Sequence, residues 1–544
     1  MVHSEQTTDV LIVGAGPTGL MAANELLHGG VDFTIIEKRE APSIYSKALG
    51  IQPRSLEALD RLGLAETFIK QSFLLPGAKF HLEKAGTVTV ELSQLDSRFP
   101  YLCTLPQSET ERILEEHLNH HEVTVQRQWE LNQLSQTEDG VTATVNHAEG
   151  TTQIKARYVL ACDGSHSPVR KALGISFLGK KDNISFALGD VSIEGLEHGY
   201  LNAFLTERGI AAFFPFKEGH FRVITIDFSK MDQSHHKELP LEELQNQIDH
   251  LLPGRFRLSK PRWLARFGTD HRQIPSYRTG STFFLGDAAH IHNPIGGQGM
   301  NLGLQDASNL AWKLALVLSH QAPPSLLDTY HTERYPVAQQ IIKTTTQALK
   351  TMTIKPPWTL FRNWLGIGAL STPIVQKKFI NNLSNLSISY RSAPHIATQT
   401  DHSLAFTALQ AGDRIPHIHF LDRDYQEIRL HSLLQQHRFL ALLYTEVADQ
   451  STLSDANAWA QAIREQFGDL ITPFLVARAG NPTNYDNQLP TLFDLKNEAA
   501  NKIGMRERHL IVIRPDGHLV FHQSTFDIPS STHKLSTFIQ LKKI

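Results

Sequence analysis

The 544 residues include only two cysteines, Cys103 and Cys162. Two thiols cannot form a disulfide framework, and such usage suits a reducing cytosol. No apolar run reaches the roughly 20 residues that cross a bilayer. The most apolar early stretch, Val10 to Ala23, follows acidic Glu5 and Asp9 and is broken by Gly14, Gly16, Pro17 and Gly19. A secretory signal wants a basic start and an unbroken apolar stretch. Charge of one sign is also lacking, with 52 basic against 55 acidic residues. No lysine- or arginine-rich block stands out, which argues against a chain built mainly to hold nucleic acid or anionic lipid. HExxH, Cys/His zinc spacings and GxSxG are absent, so no metal ligand set and no serine nucleophile is expected. The apolar content of 41% and charged content of 20% are those of a globular chain. Two to four domains, without a membrane span and cytoplasmic, are the expectation.

What the sequence does contain begins at once. Asp9 to Val13 reads as a buried strand, because its apolar residues run continuously. Gly14-Ala15-Gly16-Pro17-Thr18-Gly19 follows, then helix-like Leu20 to Leu27, then a second strand, Val31 to Ile36, ending at Glu37. A dinucleotide needs each part. Gly14 permits the tight turn, Gly16 lets a pyrophosphate approach the backbone, and Gly19 allows close packing of helix and strand. The helix N-terminus offers N–H groups and partial positive charge to the phosphates. Glu37 is placed to accept from a ribose diol and would repel a 2′-phosphate, so FAD or NAD is expected here rather than NADP.

Two later stretches select flavin. Tyr158 to Ala161 reads as a strand leading into Cys162-Asp163-Gly164-Ser165-His166-Ser167-Pro168-Val169-Arg170, where Ser167 and Pro168 suit an N-cap and first helical position. Phe283-Phe284-Leu285 then stops at Gly286-Asp287, and Asn293-Pro294-Ile295-Gly296-Gly297-Gln298-Gly299-Met300-Asn301 opens an apolar helix. The second site thus supplies a carboxylate, Asp287, for ribityl or ribose hydroxyls. It also supplies a helix start whose positive end stabilises a reduced flavin.

GAGPTG, CDGSHSPVR and FLGDAAHIHNPIGGQGMNLGLQDASNLAWKL together resemble the fingerprints of the FAD-dependent aromatic hydroxylases. These are the single-component flavoprotein monooxygenases similar to p-hydroxybenzoate hydroxylase and phenol hydroxylase. The resemblance implies FAD as the resident cofactor, held by the residues from Gly14 to Gly19, Glu37, Lys38, Arg39, Lys47, Gln107, Asp163 and Asp287. Pro294, Gly297, Gln298, Gly299, Met300 and Asn301 would line the ring. Family members carry arginine where Lys47 stands, and lysine cannot make the arginine's bidentate phosphate contact. Arg54 is a weaker candidate in the same segment, alongside a reading as a solvated helix-end residue. Gln107 precedes a Ser108…Glu111 capping box. No second GxGxxG exists, which suits NAD(P)H docking as a transient co-substrate. The implied cycle runs through a C4a-hydroperoxyflavin that hydroxylates a small aromatic substrate, phenolic or polyketide-like, with O₂. Phe213, Phe214, Pro215 and Pro294 fall where the family places pocket residues, with ordinary sheet core as an equal reading of Phe213, Phe214 and Pro215. The family's phenol hydroxylases carry an aspartate base where Leu49 stands, so no catalytic residue is assigned.

The expected fold class is α/β. A Rossmann-like FAD-binding domain (1–175, with strands of the substrate sheet near 78–104, and 275–350) carries an inserted β-sheet substrate domain (176–274). A helical linker (351–410) leads to a thioredoxin-like α/β domain (411–544) without CxxC. Lacking any cysteine, that domain cannot run dithiol exchange, and a structural role or a homodimer contact is expected of it. Two rival functions remain: a flavin-dependent reductase or dehydrogenase of the same fold, and a redox-silent FAD-binding protein.

Overall fold

A computed structural model describes residues 4–43, 48–217, 219–230, 239–399, 401, 403–404, 408–434, 438–447, 449–479 and 489–539. Ser4–Val13 lies inside a sheet ordered Arg278–Thr279, Thr282–Phe284, Gly150–Ala161, Ser4–Val13, Phe33–Glu37, Gln126–Arg127. Val10, Leu11 and Ile12 are fully buried, which explains their unbroken apolar run. Register positions the site. Val13 pairs with Ala161 and Ile36, and Ala161 pairs with Phe284, all in parallel strands. The segments that follow Val13, Ala161 and Phe284 therefore leave the sheet side by side at its carboxyl edge, where open α/β sheets bind ligands.

A second sheet is built around two 17-residue strands, Leu178–Glu194 and Arg257–Gln273, paired antiparallel. His220–Asp227, Gly209–Pro215 and Leu201–Leu205 extend it, and the hairpin Gly77–Glu91 joins from the N-terminal part of the chain. Alternation divides its residues between two environments. Phe213, Val223 and Phe221 pack beneath helix Leu241–Leu251 with Leu244, Ile248 and Phe256. Phe186, Ile210 and Ile226 form the opposite face, against Ile295, Leu349 and Met352.

Beyond helices Thr329–Met352, Thr359–Leu370 and Pro373–Leu383 lies a third sheet, of seven strands. Its central strands Phe439–Val447 and Ile471–Ala479 run parallel, and Leu510–Ile513 and Leu519–Gln523 form a hairpin across Pro515-Asp516-Gly517. This is a thioredoxin-like domain. The hairpin tip enters the first domain. Arg514 forms two bonds to Glu333, at 2.7 and 2.9 Å, and two more to Asp516, at 3.0 and 2.5 Å. Lys313 reaches the same Glu333 at 2.9 Å, and Glu333, Arg514 and Lys313 have no exposed side-chain surface. Burial alone would raise the carboxyl of Glu333, but Arg514 and Lys313 outweigh it and hold the group well below its ordinary range. Arg54 also belongs to this junction. It is buried, bonding Glu57 at 3.0 Å and the Asp516 carbonyl at 2.6 Å. Neither a phosphate contact nor a solvated helix end describes it.

Candidate functional site

The first glycine turn is shaped by backbone collisions. Gly14 has φ of +104°, and a Cβ there would stand 2.5 Å from the Cys162 carbonyl oxygen. The first and second motifs therefore touch through bare backbone. Gly16 caps helix Pro17–His28, no side chain satisfies that helix end, and nothing lies within 4 Å of where its Cβ would be. The result is an open cradle of helical N–H groups, as a pyrophosphate requires. Ala15 donates its N–H to Glu37 at 2.9 Å, and Arg39 forms an ion pair with the same carboxylate at 3.0 Å. Burial pushes Glu37 up, but the bonds from Arg39 and the Ala15 N–H hold it below the usual carboxylate range. It is an anionic acceptor at the rim of the cradle. Lys38 faces solvent. Lys47 lies outside the described residues.

The third motif is fastened to the other two. Thr18 is the contact point: Cβ atoms at Gly286 and Gly303 would stand 2.6 and 2.2 Å from its Oγ1, so helices Pro17–His28 and Gly299–Leu318 meet at a point only glycine permits. Arg170 clasps the second and third motifs, donating to the carbonyls of Ser165 at 2.7 Å and Ala288 at 3.1 Å. Asp287 stands exposed at the strand end, in the one-turn helix Gly286–Ala288. Gly297 leaves open space where its Cβ would be, beside half-buried Pro294. Helix Gly299–Leu318 starts next to this space, and no side chain caps its first N–H groups.

Other expected residues brace the site through their side chains. Asn301 accepts from the Gln52 N–H at 2.8 Å and donates to the carbonyls of Gly50 and Gly297, each at 2.8 Å. Its amide is occupied in holding the glycine loop. Gln298 donates to the Leu383 carbonyl at 2.9 Å, while its side-chain oxygen is buried without a partner among the described residues. Met300 is half-buried beside it. Gln107 exchanges bonds with Ala48 and donates to Glu111 at 2.9 Å. Its helix is capped at Pro106, two residues before the Ser108 expected to cap it, and no side chain caps it, so that box does not form. Asp163 accepts from the Val169 N–H at 3.0 Å, and its other oxygen is buried and unpartnered among the described residues. Burial raises its carboxyl.

The pocket assignments divide by strand alternation. Phe213 is fully buried against Phe204 and Phe256, on the helix-covered face, and does not line the site. Pro215 is buried, its carbonyl accepting from Thr104 at 2.6 Å. Phe214, half-buried and paired with Arg222, lies on the opposite face with Ile210 and Ile226. There Ile295 of the glycine loop meets stacked Phe186 and Phe267, whose centroids are 5.3 Å apart. Arg222 lies fully buried on that face and is matched by Asp190 through two bonds of 2.7 Å. Sequence reasoning passed over His292 and Asn293. His292 Nδ1 pairs with the Asn293 carbonyl at 2.7 Å, while its Nε2 and the Asn293 amide nitrogen are buried without partners among the described residues. Burial lowers His292 to about 4, so the ring is neutral at physiological pH. Their position inside the third motif was the available signal.

An open cradle at Gly16 and Gly297, two uncapped helix starts and orphaned buried polar atoms at Asp163, Gln298, His292 and Asn293 fit an extended polar cofactor. Comparison with known proteins agrees. A family model described as an FAD binding domain matches residues 7–345. Pentachlorophenol 4-monooxygenase of Sphingobium chlorophenolicum is 33% identical over 523 residues, covering 94% of this chain and 93% of that one. An aromatic compound monooxygenase of Bacillus subtilis is 31% identical over 516 residues, covering 94% of each. The solved anhydrotetracycline hydroxylase of Streptomyces rimosus superposes with a TM-score of 0.77 at 30% identity, covering 98% of this chain and 99% of that one. Fold, site and sequence converge: the chain belongs to the FAD-dependent aromatic hydroxylases, flavoprotein monooxygenases with NAD(P)H as co-substrate.

Proposed function

We propose that this monooxygenase hydroxylates a neutral, apolar ring substrate, a substituted phenol or a fused polyketide-like aromatic, rather than an aromatic acid. The carrying observation is the face where the sheet meets the glycine loop. Ile210, Ile226, Phe186, Phe267 and Ile295 make it apolar, and its buried cation, Arg222, is already neutralised by Asp190. A substrate carboxylate would have to displace that pair, at the cost of leaving Asp190 buried and unmatched. Leu49, buried at 8% exposure, offers no base to a phenol. Pentachlorophenol and anhydrotetracycline, named for two relatives, are ring compounds of the proposed kind.

In this reading, the Gly14–Gly19 turn with its helix start holds the pyrophosphate, Glu37 a ribose and Asp287 the sugar chain. Pro294, Gly297 and the first N–H groups of helix Gly299–Leu318 hold the ring. Bound FAD supplies hydride acceptance from NAD(P)H and activation of O₂. The protein orients the substrate on the Phe214 side of the sheet and excludes water there, which keeps oxygen transfer ahead of peroxide release. The positive helix end favours negative charge on the pyrimidine edge. A panel assay of stimulated NAD(P)H oxidation tests the substrate class. Neutral phenols and hydroxylated anthraquinones should stimulate and 4-hydroxybenzoate should not; preferential stimulation by the acid would overturn the proposal.

A further inference from the structure

Helix Thr359–Leu370 is turned inside out. Its buried side chains are Thr359, Arg362 and Asn363, with the Asn363 amide donating to the Glu83 carbonyl at 3.0 Å. Its outward face carries Phe361 at 60% exposure, Trp364 at 63% and Leu365 at 58%, preceded by Trp358 at 67%. A helix on a water-facing surface normally shows the reverse order. Ile374 at 81% and Val375 continue the patch onto helix Pro373–Leu383. Of the ten large apolar side chains exposed among the described residues, six lie between Trp358 and Val375. Such concentration marks a contact surface rather than scattered apolar exposure.

Charge identifies the occupant. Between Glu333 and Asp401 the sequence has no acidic residue and eight lysines and arginines, although the whole chain is nearly balanced. Lys343, Lys350, Lys355, Lys377 and Lys378 are exposed. Acids on the adjoining sheet edge are engaged within the protein: Glu207 pairs with Lys84, Glu91 accepts from Tyr200, and Glu83 accepts from the Glu207 N–H. A second copy of this chain would bring lysine against lysine across the patch, which opposes self-association. Aromatic and leucine side chains flanked by lysines are instead the chemistry of a helix lying in the headgroup region of an anionic bilayer.

We propose that helices Thr359–Leu370 and Pro373–Leu383 form a peripheral docking surface for anionic membranes. The attachment is to one leaflet, and no span is implied: among the described residues no helix is long and apolar enough to cross a membrane. The surface adjoins the substrate side of the molecule. Leu349 and Met352, at the end of the preceding helix, pack on the apolar wall, and the Leu383 carbonyl holds Gln298 in the glycine loop. Docking here would seat the catalytic face beside a leaflet in which apolar ring compounds dissolve.

The test is co-sedimentation of the FAD-loaded protein with phosphatidylcholine vesicles, with and without phosphatidylglycerol. It reads no turnover, so its failure is separate from any failure of the substrate proposal. Binding should require phosphatidylglycerol, weaken with salt and blue-shift tryptophan emission. Trp358→Ser/Phe361→Ser/Trp364→Ser should abolish it, and Lys377→Glu/Lys378→Glu should weaken it by about tenfold or more. Retained flavin and an unchanged circular dichroism spectrum show that the variants are folded. Absence of binding, equal binding to pure phosphatidylcholine, or undiminished binding by the triple variant would overturn the proposal. So would a dimer that the triple substitution dissociates, since a second copy would then be the occupant.

Discussion

Arg514→Met exposes the logic of the domain junction. The substitution keeps much of the volume and removes four charged bonds, two to Glu333 and two to Asp516. Glu333 keeps Lys313 at 2.9 Å and His395 at 2.9 Å. Asp516 fares worse. Its remaining side-chain contacts are the Asn309 amide at 3.4 Å and His518 at 3.4 Å, whose ring burial holds at about 4, hence neutral, while Arg54 bonds its backbone carbonyl rather than its carboxylate. Leaving one partner of a buried pair uncompensated costs about 3–5 kcal/mol. At about 3 °C per kcal/mol for a unit of this size, the unfolding temperature of the C-terminal domain should fall by about 9–15 °C. The pH dependence should also change sign. In the native protein Glu333 and Asp516 are depressed, so the stability they contribute is complete above the ordinary carboxylate range and is lost only as pH falls below it. In the variant Asp516 is buried without its guanidinium, and its carboxyl rises above the unfolded value. The folded state then binds the extra proton, so the variant gains stability as pH falls toward the ordinary carboxylate range, while the native protein does not. Thermal unfolding across that range, read by near-ultraviolet circular dichroism, is the assay. Equal melting of the two proteins, or parallel pH profiles, would refute the reasoning.

Two further predictions concern the site. Phe213→Ala should cost about 3–5 kcal/mol of stability and leave substrate preference unchanged, whereas Phe214→Ala should leave stability nearer native and raise peroxide release per NAD(P)H consumed; thermal melts and a peroxide assay separate them, and a preference change in Phe213→Ala alone would reverse the assignment of faces. Asn301→Leu strands the Gln52 N–H and the Gly50 and Gly297 carbonyls, at about 1–3 kcal/mol for each buried group; FAD titration should show affinity falling by tenfold or more, and native affinity would deny Asn301 its bracing role.

Much of this was legible in the sequence where the signal is local. The strand, glycine turn, helix and second strand within the first forty residues follow from one continuous apolar run and its punctuation. The alternation that separates Arg222, Ile224 and Ile226 from Val223 and Thr225 is readable too. Which of those faces meets the glycine loop is not, because Ile295 lies some seventy residues away and only the sheet's placement brings it there. That is why Phe213 and Phe214 could not be told apart. Arg54 was illegible for the same reason: its partners Asp516 and His518 belong to another domain. Asn301 looked like a cofactor contact because it closes the glycine-rich third motif, yet its amide serves three backbone groups of the protein. The segment after Thr351 resisted reading because periodicity implies that an apolar face points inward, and in Thr359–Leu370 it points out.

Three distant segments folding into one FAD site, where oxygen enters a ring, is the chemistry on which all the rest depends. Its most direct test is product mass after turnover of the purified yellow protein with NAD(P)H, a neutral phenolic substrate and heavy-isotope O₂. One labelled oxygen atom is expected in the hydroxylated product, with flavin bleaching and recolouring as NAD(P)H is consumed. An oxidised product without label would make the chain a dehydrogenase, and a flavin that NAD(P)H and substrate never bleach would make it redox-silent; either result contradicts the account.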